Sequence, residues 1–171
     1  MLKKRIIPVL LLLNGRMVKG KNFQNYIDTG IPSTQVKIYN SQDADELIFL
    51  NISRERNEDL QNILKIASKE CFIPLSAGGN IRNLTDVKNI LDSGADKVVL
   101  NTNAYNNRTL VKEIVNNYGF STLIISIDYK IINNEPVVFV NCGKENTSTN
   151  LFEYIKEIED IGVGELMITA I

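Results

Sequence analysis

The sequence predicts an α/β fold: parallel strands joined by crossover helices, as a (β/α)8 TIM-type barrel made of two half-barrels and truncated after strand six. Three observations predict it. Short β-rich runs alternate with amphipathic stretches along the whole chain; the runs are apolar on both faces; and the chain contains an internal repeat. Strands apolar on both sides belong to a parallel sheet covered by helices, because a sheet with one wet face alternates apolar and polar residues.

The strands are expected at 5–12 (RIIPVLLL), 46–51 (ELIFLN), 72–77 (FIPLSA), 97–101 (KVVLN), 122–128 (TLIISID) and 165–171 (ELMITAI). Between them, four stretches carry apolar residues at helical spacing. In 57–70 the face is Leu60, Ile63, Leu64 and Ala67, and in 84–93 it is Leu84, Val87, Ile90 and Leu91. In 107–118 it is Leu110, Ile114 and Val115, and in 150–161 it is Leu151, Tyr154, Ile155 and Ile158.

A shift of 117 places Arg5–Leu11 on Thr122–Asp128, and a shift of 119 places DELIFLNI (45–52) on GELMITAI (164–171). Residues 1–117 then form one half-barrel and 118–171 begin a second, giving a single incomplete barrel domain over 1–171. The alternative is a complete six-stranded open sheet whose halves match by chance. An open barrel would leave the edges of its first and sixth strands unpaired, a template for self-association.

Composition narrows the function. The chain has 171 residues, 44% of them hydrophobic, with 19 basic and 20 acidic side chains and no histidine. That length buries a proper core. Balanced charge offers no basic stripe for nucleic acid, and the lack of histidine removes zinc-hydrolase and histidine-triad chemistry. No metal site and no cofactor is expected. No apolar run is long enough to span a membrane, and the N-terminus lacks a signal-cleavage pattern, so the expected location is the cytoplasm. Cys71 and Cys142 lack the spacing of a redox or metal pair, and a disulfide is not expected. The sequons at Asn51, Asn83, Asn107 and Asn146 carry no information in so asparagine-rich a chain.

In a (β/α) barrel, chemistry sits at the C-terminal ends of the strands. Asp128 ends the fifth run, where a dry barrel mouth raises a carboxyl pKa and makes it a candidate general acid/base; the plainer role is capping a loop. The loop SAGGNIRN (76–83) brings Gly78, Gly79 and Asn80 before a helix, where bare amides can approach a phosphate. Arg5, Glu46, Lys97 and Glu165 each begin a strand immediately before an apolar run, and two cations with two anions can satisfy one another when buried. They are otherwise ordinary polar strand starts. Leu11, at the end of the first run, can neither give nor take a proton.

MLKKRII, NGRMVKG, DELIFL, GADKV, NTNA, SIDYK and GKENT, in that order and spacing, resemble the cyclase subunit of imidazole glycerol phosphate synthase and its paralogues associated with amidation of surface-polysaccharide sugars. The resemblance covers the whole chain. It implies a barrel of two half-barrels and a glutaminase partner that supplies ammonia. It also implies a phosphorylated small-molecule substrate. Ring closure in that family uses two aspartates: Asp128 matches one, and Leu11 stands in the place of the other. The resemblance further makes Asn101 and Thr102 phosphate contacts, Lys19 the lysine of a mobile substrate-closing loop, and Arg5, Glu46, Lys97 and Glu165 a charged gate for ammonia. Asn51 stands where the family has aspartate, and Asn80 where it has a third glycine, a change asparagine tolerates because it accepts positive φ. The LLL at the first strand end resembles the sugar-amidating branch.

The expected function is therefore a synthase-type subunit of a glutamine amidotransferase complex, lyase-like in chemistry, of the sugar-amidating type. The alternatives are the histidine-biosynthesis cyclase and a non-catalytic glutaminase-binding or inactive truncated copy.

Overall fold

The computed structural model describes residues 4–21, 23–53 and 57–171. They fall into two compact units: one runs to Ile81 and takes in Thr85–Val98, the other holds Arg82–Leu84 and Val99–Ile171.

The first unit opens with β1 (Val9–Leu13), which Asn14 and Gly15 turn back into β2 (Arg16–Lys21), followed by β3 (Gln24–Gly30). Both turn residues have positive φ, 51° and 72°, the geometry of a two-residue hairpin turn that asparagine and glycine supply at least cost. Then come α1 (Pro32–Ser41), β4 (Leu47–Asn51), α2 (Glu58–Glu70), β5 (Leu75–Gly78), α3 (Leu84–Asp92), whose first residue belongs to the second unit, and β6 (Lys97–Leu100), whose last two residues do. The sheet order is β3-β2-β1-β4-β5-β6. β1 pairs with β4 and β4 with β5, both parallel. The crossover strands follow chain order, as in a (β/α) barrel, without the reversal that marks a doubly wound sheet. Leu60, Leu64 and Ala67 of α2 and Val87 and Ile90 of α3 are buried with Leu10, Leu12, Leu47 and Phe49 of the sheet. Each large side chain so buried contributes roughly 1.5–3 kcal/mol.

The second unit contains α4 (Thr102–Asn106), α5 (Arg108–Tyr118), β7 (Leu123–Ile132), β8 (Glu135–Val140), β9 (Glu145–Asn150), α6 (Leu151–Ile161) and β10 (Glu165–Ala170). β10 pairs with β7 in parallel, and β8 pairs with β7 and β9 antiparallel. Asn107 and Asn150 cap α5 and α6, each accepting a hydrogen bond from a first-turn amide. Leu110, Ile114, Leu151, Tyr154 and Ile158 are buried, as the helical spacing requires. Arg108 pairs with Glu157 through two nitrogens, at 2.6 and 2.9 Å, and its guanidinium lies 4.6 Å from the Tyr154 ring centre.

The α/β class and the parallel crossover strands agree with the sequence. Two hairpins do not. The segment read as a mobile loop after the first strand is the β2–β3 hairpin, and a second hairpin, β8–β9, follows β7. The first corrects the expectation that the edge of the first strand is unpaired, because β2 runs antiparallel along Leu11–Leu13.

Candidate functional site

At the strand-start end of the first unit, Glu46 precedes β4 and is 1% exposed. Its carboxylate accepts from Lys97 Nζ at 2.9 Å, from Arg5 Nη1 at 3.3 Å and from the Ser76 hydroxyl. Burying a carboxylate is tolerable only with such a set of donors. Arg5 lies ahead of β1 rather than in it; the backbone bonds from Asp45 N to Ile6 O and from Ile48 N to Pro8 O hold that lead-in against β4. Three of the four expected gate residues thus meet around one carboxylate. Glu165 begins β10 in the second unit. Ser76 was not anticipated: it sits within an apolar run, and the only signal for it is alternation, which turns it to the same sheet face as Glu46.

At the other end of the same strands, Leu11 stands level with Leu50, and Leu50 with Gly78. This row is apolar and carries no titratable group. Leu11 is half-buried, with Val18 of β2 on its other side. Lys19 lies on β2, exposed and level with Ile27. Asn51 ends β4 and is 6% exposed; its Oδ1 accepts from Ser53 N at 3.0 Å and its Nδ2 donates to Asn57 Oδ1 at 2.9 Å. Asn57 in turn donates from Nδ2 to Gly79 O at 2.8 Å. Gly79 has φ 114°, and a Cβ there would fall 2.1 Å from Asn51 O, so the glycine is required by close approach of two loops. Asn80 adopts φ 53°, as expected for asparagine in place of glycine, and donates to Ser53 O at 2.6 Å.

In the second unit, Asp128 is 5% exposed on β7. Burial pushes its carboxyl pKa up from the usual carboxylate range, and the hydrogen bond from Asn101 opposes that rise. Asn101 Nδ2 donates to Asp128 Oδ2 at 2.9 Å and lies 3.3 Å from Ser126 Oγ. Ser126, two residues earlier on the same face, was also missed. The Thr102 hydroxyl oxygen accepts from Asn141 N at 3.0 Å, which leaves its proton able to donate elsewhere. A buried carboxyl whose pKa is raised by burial and which is held by an amide can exchange a proton with a bound molecule.

Among the described residues no group of three or more His, Cys, Asp or Glu side chains could hold a metal ion, and no helix is long and apolar enough to cross a membrane. Cys71 is buried and Cys142 exposed, both as free thiols.

Residues 5–171 match the model of the histidine biosynthesis protein family. The chain is 42% identical over 173 residues to the imidazole glycerol phosphate synthase subunit HisF of Sulfolobus acidocaldarius, covering 100% of this chain and 70% of that protein. The HisF subunit of Sulfurisphaera tokodaii is 39% identical with the same coverage. That of Exiguobacterium sp. is 39% identical over 99% of this chain and 68% of its own length. Asp128 lies inside β7 rather than at its end, because the strand continues to Ile132 into its pairing with β8. The family match over residues 5–171, on a chain whose parallel crossover strands agree with it, places this chain in the histidine biosynthesis protein family, alongside the HisF subunits.

Proposed function

We propose that this chain is the ammonia-accepting synthase subunit of a glutamine amidotransferase, with Asp128 as its general acid/base. The observation that carries the proposal is the Asp128 carboxyl, dry, raised in pKa and held by Asn101. In this reading Asp128 passes a proton to or from the substrate as ammonia adds. Gly78, Gly79 and Asn80 in one unit, and Asn101 and Thr102 in the other, bind phosphate oxygens, with Lys19 reaching from β2. Arg5, Glu46 and Lys97 admit ammonia at the strand-start end of the first unit, and Glu165 plays the same part at the start of β10 in the second. Ile6 and Phe72, 74% and 91% exposed at that end of the first unit, support docking of a glutaminase there.

The names of the relatives favour imidazole glycerol phosphate formation as the reaction. Leu11 favours a second reading, transfer of ammonia to a sugar of a surface polysaccharide, because a strand end without its acid cannot run a two-carboxylate cyclisation. Both readings share the glutaminase and the gate. The test is to assay the chain with candidate glutaminases and amide-15N glutamine, beside free ammonium, for wild type and Lys97→Met. Glutamine-driven labelling of product that Lys97→Met abolishes, with ammonium-driven turnover retained, is the expected result. Absence of any glutaminase dependence overturns the proposal.

A further inference from the structure

We propose that Asn57 is a positioning residue: through a relay of two side-chain amides it sets the Gly79–Asn80 turn to receive an anionic group. The group is a phosphate ester if the turn binds phosphate as read above, and the inference rests on that reading.

The relay has fixed polarity. At one end stands the Ser53 backbone N–H, which can only donate; at the other stands the Gly79 carbonyl, which can only accept. Between them Asn51 accepts through Oδ1 and donates through Nδ2, and Asn57 does the same. Two amides in series are the arrangement that satisfies both ends. A carboxylate at either position would set one acceptor against another, since an ionised carboxylate donates nothing.

The use made of Asn57 is the second observation. It occupies the N-cap position of α2, where an asparagine side chain ordinarily accepts from a first-turn amide, yet it makes no such bond. Its amide is turned instead onto the β4 and β5 loops. The same loops are joined twice more, by Asn80 Nδ2 to Ser53 O and by the contact of Gly79 with Asn51 O. Asn14 N, in the turn after β1, donates to Ser53 Oγ at 2.8 Å, so three strand ends of the first unit share the network. Forgoing a helix cap to hold a glycine turn is hard to explain by the stability of α2, and it fits a turn whose geometry matters to a ligand.

The test uses the full chain and two probes, inorganic phosphate at neutral pH and sulfate across pH 4 to 7, read by the amide shifts of Gly78, Gly79 and Asn80. Wild type is expected to bind both, and Asn57→Ala to bind about tenfold more weakly, the worth of one lost positioning bond. Because Asn57 does not cap α2, that variant is expected to stay folded. Asn51→Asp gives the readout that a merely structural role would not move. Ionised, it breaks the relay and weakens sulfate binding; protonated, its carbonyl accepts from Ser53 and its O–H donates to Asn57, and binding returns towards wild type as pH falls. Wild type over the same pH range is the control for the other carboxylates near the turn, Glu58 and Asp59 at the start of α2. Equal binding by wild type and Asn57→Ala, or weak binding by Asn51→Asp at every pH, overturns the relay and leaves the phosphate reading standing. Failure of wild type to bind either anion overturns the phosphate reading and the inference together.

Discussion

Asn101, the residue just before α4, donates from Nδ2 to Asp128 Oδ2 at 2.9 Å, a neutral side-chain donor to a carboxyl buried on β7. One neutral donor moderates the effect of burial without cancelling it, so Asp128 keeps a raised pKa.

The first prediction concerns pH. A carboxyl whose folded pKa lies above its unfolded value holds its proton more tightly in the folded chain. Folding is therefore stabilised as pH falls below the folded pKa, and that contribution is lost as pH rises through it. Asp128→Asn removes the charge while keeping the shape and an acceptor for Asn101. The variant should melt at or above the wild-type temperature at neutral pH, with the gap closing towards pH 4, while turnover falls by about 10²–10⁴. Thermal melts across pH, beside an activity assay, check both. A variant less stable than wild type at pH 7 would mean that the ionised carboxylate is a favoured state.

The second prediction ranks the cluster around Glu46. Glu46→Gln should cost about 3 kcal/mol, because it leaves Lys97, with its side chain 16% exposed, facing an amide in a buried place. Arg5→Ala should cost under about 1 kcal/mol, since the arginine side chain is 46% exposed, solvent screens its ion pair, and Lys97 and Ser76 still donate to the Glu46 carboxylate. Urea unfolding of the two variants measures the order. The reverse order would remove Glu46 from the centre of the cluster.

What could be read from the sequence divides along physical lines. The crossover strands and the faces of α2, α3, α5 and α6 were legible because burial imposes a period on apolar residues. The hairpins were not, because QNYIDTG in β3 and ENTSTN in β9 are mostly exposed and carry no apolar alternation. Their one signal was in the turns: Asn14-Gly15, and Asn133-Asn134 with φ 50° and 65° between β7 and β8. The helix α1 was missed too, though Pro32 at its start was a cue. For the site, Asp128 and the charged strand starts were visible as polar residues bounding apolar runs. Ser76, Ser126 and Asn57 were hidden: the two serines are small polar residues inside strands, and Asn57 is an asparagine in an asparagine-rich chain, so only their partners give them meaning.

The third prediction is a stabilising one. Tyr154 is 2% exposed and, among the described residues, its hydroxyl has no hydrogen-bond partner, while burial pushes its pKa up to about 12. Its ring packs edge-on to Tyr105, centroids 5.3 Å apart, and against Arg108. Tyr154→Phe keeps the ring and removes the unsatisfied group, so it should leave stability unchanged or raise it by about 1 kcal/mol. Tyr154→Ala should cost about 3–5 kcal/mol. Loss of stability in the phenylalanine variant would point to a buried water held by the hydroxyl.

The fourth prediction decides between the two reactions. Leu11 shares a row with Leu50 and Gly78, and Asn51, one residue beyond Leu50 at the end of β4, cannot titrate. If ring closure to imidazole glycerol phosphate needs an acid on this row, wild type supplied with ammonium and the nucleotide substrate of that ring closure should turn over poorly. Leu11→Asp should raise that rate by about 10²-fold or more, the usual worth of a placed acid/base group. The substitution puts a carboxylate at a half-buried position between Leu50 and Val18, so a stability loss of about 1–3 kcal/mol should accompany the gain. Adding Asp128→Asn to Leu11→Asp should return the rate to the wild-type level if ring closure requires both carboxylates, as it does in the family the sequence resembles. The measurement is product absorbance over time for wild type, the single variant and the double variant. Fast ring closure by wild type would show that Asp128 suffices alone, and the case for a sugar acceptor, which rests on Leu11, would fall with it.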